Sequence, residues 1–207
     1  MGYIRDKIEL AVEASMQMIP VVGGPLATLY FGNKEEKRFK RIEAFYKEIA
    51  CELQGVQDRI KNIDEYDSEE LSAIIEELNE KVEVEHIRLK VELYKTYFKK
   101  TMILPINNNY SERKLFLDII AQLTPLQIEL IIFLVQQNTE VIARTITKEG
   151  VEQYIILGCI SQLKILGLVE SKLSNITFST EGNSINESIR ISELGVKFHK
   201  FCISQEY

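Results

Sequence analysis

The sequence predicts a mainly α protein, with N-terminal helical hairpins followed by a C-terminal winged helix-turn-helix that carries a small β-wing. Three observations predict it. Apolar side chains recur at helical spacing from residue 39 to residue 102. Thr124-Pro125-Leu126-Gln127 opens a new series of helical patterns with a strong start signal. Two extended segments, 168–172 and 189–192, then follow the longer C-terminal helix pattern. The expected organisation is an apolar N-terminal helical segment over 1–33, a long antiparallel helical hairpin over 34–105, and a winged-helix domain over 110–207.

Residues 14–33 form twenty positions without a charge. Asp6, Glu9 and Glu13 stand where a secretory leader would be basic, and no small-residue cleavage pattern follows. Pro20, Gly23-Gly24 and Pro25 interrupt the stretch, which argues against one spanning helix. A helix over 3–18, a Gly-Gly-Pro turn and a short apolar helix over 25–31 fit better. Burial against the rest of the protein or a partner ranks first, and insertion into a membrane as a helical hairpin ranks second. A phosphate loop ranks last, because the segment lacks the lysine and spacing of a Walker motif.

The seam Phe39, Ile42, Phe45, Ile49, Leu53, Val56, Ile60, Ile63 advances by threes and fours, with Lys, Arg and Glu between. A turn over 64–68 ends in a capping-box-like start at Asp67 and Glu70. A second seam runs Leu71, Ile75, Leu78, Val82, Ile87, Val91, Tyr94, Phe98, Met102. Two long helices joined by a short turn should fold back on each other. Leu93 and Tyr97 lie off the second seam, which makes them candidates for partner contact, together with Val21, Val22 and Leu26 of the N-terminal apolar hairpin.

Pro105 and Asn107-Asn108-Asn109 break the chain before a helix pattern over 111–123. Thr124 reads as the cap of the next helix, with Ile128, Ile131, Ile132 and Val135 on its apolar face. A short helix or strand is expected over 139–146. Thr147 is expected to cap a helix carrying Val151, Tyr154, Ile155, Cys159, Ile160, Leu163 and Leu166, which Gly167 should end.

A winged helix that reads DNA holds phosphates with basic residues on its second helix and wing. Here Lys164 is the one basic residue between positions 151 and 166, and Glu149 and Glu152 sit near the helix start. Between Lys172 and Arg190 there is no Lys or Arg, while Glu181 and Glu187 are present. Net charge over the 207 residues is −6, with acidic residues in excess in both halves, so a generic polyanion binder is disfavoured. Candidate nucleic-acid contacts reduce to Arg144, Lys148 and Lys164.

Cys51, Cys159 and Cys202 are far apart and read as small buried hydrophobes, and His86 and His199 lack neighbours at metal-site spacing. No serine-hydrolase, zinc-protease or phosphate-loop motif occurs. No catalytic residue, cofactor or metal is therefore expected.

Three segments carry a resemblance: Ile19-Pro20-Val21-Val22-Gly23-Gly24-Pro25-Leu26, the helix pattern over 85–102, and Leu123-Thr124-Pro125-Leu126-Gln127-Ile128. In this order the chain resembles bacterial and prophage-associated helical proteins with a C-terminal winged helix, some similar to abortive-infection or phage-defence components. The resemblance implies a cytoplasmic accessory protein and transfers no catalytic residue. The expectation is a non-enzymatic adaptor or regulatory subunit that binds another protein or itself. A DNA-binding regulator is the first alternative and a membrane-active helical effector the second.

Overall fold

In the computed structural model, residues 36–54, 59–60, 65–104, 109–137, 139–179 and 182–205 are described. The described chain is mainly helical, with one small antiparallel sheet. It divides into two compact units, one ending at Ala121 and the other beginning at Gln122.

The first unit contains α1 (Glu36–Gln54), α2 (Ser68–Val84), α3 (Arg88–Ile103) and nearly all of α4 (Tyr110–Gln122). Ile42, Phe45, Ile49 and Leu53 of the first seam are all buried, as are Leu71, Ile75, Leu78 and Val82 of the second. Phe45, Tyr46 and Phe98 pack edge to face, with ring centroids 5.3 to 6.5 Å apart, the geometry that aromatic quadrupoles favour. The Tyr46 hydroxyl donates to Asn79 Oδ1 at 2.7 Å, which satisfies two polar groups inside the α1–α2 contact. Asp67 caps α2 by accepting from the Glu69 and Glu70 amides, both at 3.0 Å.

The second seam is two helices rather than one. Between Val82 and Ile87 the apolar step is five residues, so a continuous helix would rotate its stripe out of the core. The chain breaks there instead. Glu85 is extended, and its carboxylate accepts from the His86 and Ile87 amides, each at 2.9 Å. Lys90 closes the corner with an ion pair to Glu85 at 2.8 Å. Burial pushes the Glu85 carboxyl up, but the hydrogen bonds from Lys90 and the two amides outweigh it and hold it low.

This rotation explains why Leu93 and Tyr97 are not free for a partner. Leu93 is 4% exposed and Tyr97 0%, and the Tyr97 hydroxyl donates to Arg113 O at 3.1 Å. Once α3 starts anew at Arg88, the face that looked spare packs toward α4. Ion pairs from Lys81 to Asp118 and from Lys114 to Glu77, both 2.8 Å, also tie α4 to α2, whereas the sequence grouped this helix with the C-terminal domain.

Polar residues on α3 are covered too. Lys95 is 3% exposed and bridges Glu48 (3.0 Å) and Glu52 (2.8 Å) of α1 and Glu92 (2.7 Å) of its own helix. An ammonium with three donors is satisfied by three carboxylates in this arrangement. The hydrogen bond from Arg88 is the main influence holding the Glu48 carboxyl low. At Glu52 burial pushes up, and hydrogen bonds from Lys95 and Lys99 outweigh it.

The second unit contains α5 (Pro125–Gln137), β1 (Val141–Ile142), a 3-10 turn (Ala143–Thr145), α6 (Gln153–Ile165), β2 (Val169–Ser179), β3 (Gly182–Ile191) and α7 (Glu193–Phe198), which runs into a π-turn (His199–Ile203). The antiparallel sheet has the order β1-β3-β2, with Val141 opposite Ile189 and Val169 opposite Ile191. Thr124 and Gln127 cap α5 reciprocally: the Thr124 amide donates to Gln127 Oε1 at 2.8 Å, and the Gln127 amide to Thr124 Oγ1 at 3.4 Å. Buried Gln127 also donates to Gln162 of α6 at 2.6 Å.

α6 begins later than its sequence start signal suggested. Gly150 has φ +74° and Lys148 bridges to Val151, so the residues after Thr147 form a turn that a helix cannot contain. At the other end Gly167, also at φ +74°, closes α6 as expected. The Gly167 amide donates to Lys164 O at 2.9 Å and the Leu168 amide to Leu163 O at 3.0 Å, a Schellman ending. No helix among the described residues is long and apolar enough to cross a membrane.

A Cβ on Gly195 would lie 2.2 Å from Leu168 O and 2.6 Å from Ile191 Cδ1. Gly195→Ala is therefore expected to cost about 3 kcal/mol in urea unfolding, because backbone blocks the new methyl. Because the folded state holds the Glu48, Glu52 and Glu85 carboxyls low, their stabilisation is complete above the unfolded carboxylate value of about 4.3 and is lost as pH falls through the lower folded values. The thermal midpoint should fall between about pH 5 and 3, and Lys95→Met should lower stability by about 2 kcal/mol at neutral pH and weaken that acid dependence.

Candidate functional site

α6 combines a buried inner face with an exposed outer one. Ile156, Ile160 and Leu163 are buried against the unit and fix its inner face. The opposite side carries Tyr154 (67% exposed), Ile155 (43%) and Ile165 (85%), with Gly158, Ser161 and Gln162 also exposed. That strip holds no charged residue. Glu152 caps the helix without a side-chain hydrogen bond.

The cations around α6 are engaged by carboxylates. Lys148 pairs with Glu129 of α5, and Lys164 with Glu187 of β3. Lys172 of β2 pairs with Glu140 at 2.9 Å. Arg190 of β3 sends Nε (3.0 Å) and Nη2 (2.8 Å) to Glu170 Oε2 on the neighbouring strand. The register that sets Glu170 opposite Arg190 makes this a cross-strand pair. The Lys164 hydrogen bond holds the Glu187 carboxyl below its usual range, and Lys172 does the same for Glu140.

Of the three candidate phosphate contacts, Lys148 and Lys164 are therefore already paired. Arg144 is exposed on the 3-10 turn, and its backbone carbonyl accepts from Gln153 Nε2 at 3.3 Å. The structure does not gather the three into one basic surface of free side chains. Of the five candidate partner residues, Leu93 and Tyr97 lie in the interior of the first unit, and Val21, Val22 and Leu26 lie outside the described residues.

Among the described residues of the second unit, two hollows bear on the site. One, of about 530 Å³, is lined chiefly by Leu126, Leu130, Phe133, Ile146 and Ile156, with the paired Glu129 and Lys148. The other, of about 450 Å³, holds the Glu170–Arg190 pair beside Glu140 and Glu193. Neither lining includes a histidine or a cysteine, so neither assembles a nucleophile with an imidazole base. Among the described residues no three His, Cys, Asp or Glu side chains come together as a metal site.

Of the three cysteines expected to be buried, Cys202 is and the other two are not. Cys51 is exposed on α1, Cys159 is half-buried on α6, and Cys202 is buried. Burial pushes the Cys159 thiol up, against a hydrogen bond with Thr124, so it carries little thiolate. The rotation of about 100° between Ala50, which is buried, and Cys51 is enough to put the latter on the solvent side.

The helical pattern counts Tyr154 and Ile155 among the apolar residues of α6 and leaves Ile165 outside its stripe. A signal was present. The apolar residues of 151–166 occupy more of the helix circumference than one core-facing stripe can bury. Comparisons of the chain with protein-family models, with curated proteins and with solved structures find no match.

Proposed function

We propose that the second unit is a winged helix-turn-helix used for protein recognition, and that the chain is a non-enzymatic cytoplasmic adaptor or regulatory subunit. The winged-helix reading is supported by the order α5, α6, β2–β3 hairpin, with β1 adding a third strand to the wing. One observation carries the choice of protein over DNA: Lys148, Lys164, Lys172 and Arg190 are each paired with a carboxylate, while the exposed face of α6 is uncharged and apolar. DNA binding draws its free energy largely from cations that replace counterions on phosphates. Cations held by carboxylates on neighbouring elements must first give up those partners. An exposed tyrosine and isoleucines gain instead by being covered.

The resemblance to prophage-associated and phage-defence proteins supports a place in a bacterial defence or mobile-element system. DNA binding is the second reading, and Arg144 favours it, being exposed at the start of the region that precedes α6.

The two readings separate in a fluorescence-anisotropy titration of the full chain against duplex DNA at low and moderate salt. Protein recognition predicts binding no tighter than about 10⁻⁴ M at about 50 mM salt, with a salt slope near −1 at most. Arg144→Ala and Lys148→Ala should leave it unchanged. Tight binding with a steep salt slope that both substitutions reduce would establish the DNA regulator instead.

A further inference from the structure

We infer that the exposed face of α6 is a two-fold self-association surface, and that the partner it takes is a second copy of this chain. The inference rests on the protein-recognition reading and names its partner. Tyr154 and Ile165 are 67% and 85% exposed. At 3.6 residues per turn their spacing places them three turns apart and within about 20° of one face. Between them on that face lie two small residues. A Cβ on Gly158 would meet open space, and the Ser161 hydroxyl is turned back to Leu157 O at 2.9 Å.

The face therefore runs large, small, small, large, and the midpoint of Tyr154 and Ile165 is also the midpoint of Gly158 and Ser161. A second α6 running antiparallel about a two-fold axis through that point sets each Tyr154 against Ile165 of the other copy. Gly158 and Ser161 then meet at the centre, where small side chains let the helix axes come close. Such an interface is isologous and closes on itself as a dimer.

Charge is compatible with this pairing. The strip is uncharged, and the flanking Lys164 is paired with Glu187, so no charged side chain of the strip meets its own copy at the centre of the pairing. The same neutrality disfavours a strongly charged partner. The exposed parts of Tyr154, Ile155 and Ile165 with the small residues between them amount to roughly 500 Å² per copy, or about 1,000 Å² in all. That is the low end for a specific interface, so the dimer is weak and concentration-dependent.

Sedimentation velocity of the full chain from about 1 to 500 μM should show a monomer–dimer equilibrium with Kd of about 10–100 μM. Tyr154→Glu and Ile165→Lys should each weaken it at least about tenfold without moving the circular-dichroism spectrum or thermal midpoint, since both side chains are exposed. Combining the two substitutions in one chain should restore association, because the antiparallel register sets the new carboxylate of one copy against the new ammonium of the other. Gly158→Leu should also dissociate the dimer while favouring the helix itself. A chain that is monomeric throughout this range, an association indifferent to these changes, or a double variant as weak as the single ones overturns the inference. A monomeric chain that also ignores DNA removes only the second copy as partner, whereas tight salt-dependent DNA binding removes the protein-recognition reading itself.

Discussion

The second unit turns on the corner at Gly167 and Leu168. Four elements meet there. The corner amides close the end of α6 on Lys164 O and Leu163 O. Leu168 O accepts from the Ser192 amide at 2.9 Å, and Gly167 O from the Ser192 hydroxyl at 2.6 Å. Ser192 then caps α7 through Gly195, whose missing side chain lets that helix approach Leu168. A positive φ at one glycine and a bare Cα at another thus lock the helix end, both long strands and the closing helix into one arrangement. With that corner set, α6 can rotate little about its axis. Ile156, Ile160 and Leu163 point inward, and Tyr154 and Ile165 are left outside.

The same framework sets the electrostatics. Sheet register places Arg190 against Glu170, and the placement of β3 beside α6 brings Glu187 to Lys164. Each pair is partly exposed and contributes little to stability. Their consequence is for recognition, since a cation held by a carboxylate must give up that partner before it holds a phosphate.

The first unit solves a different problem, the covering of polar residues on α3. Lys95 is held by three carboxylates, and Glu85 ends one helix, accepts from the two amides that lead into the next and binds Lys90. Ion pairs this enclosed offset a desolvation cost and so fix how α1 and α3 sit against each other more than they add free energy. Packing at Tyr97 and Arg113 extends the unit through α4.

By itself the sequence determined the helical character, the N-cap at Asp67, the capping box at Thr124–Gln127, the glycine ending at Gly167 and the shortage of basic residues around α6. These depend on local backbone chemistry and composition, which neighbours along the chain reveal. The helix break at Glu85 was legible only as a five-residue step in the apolar seam. Tertiary structure alone decided that Leu93 and Tyr97 are interior, that Lys148 and Lys164 are neutralised, and that Tyr154 and Ile165 face solvent. The reason is physical: burial and ion pairing depend on which elements pack across tens of residues, and periodicity shows only that a helix has an apolar side, never what covers it.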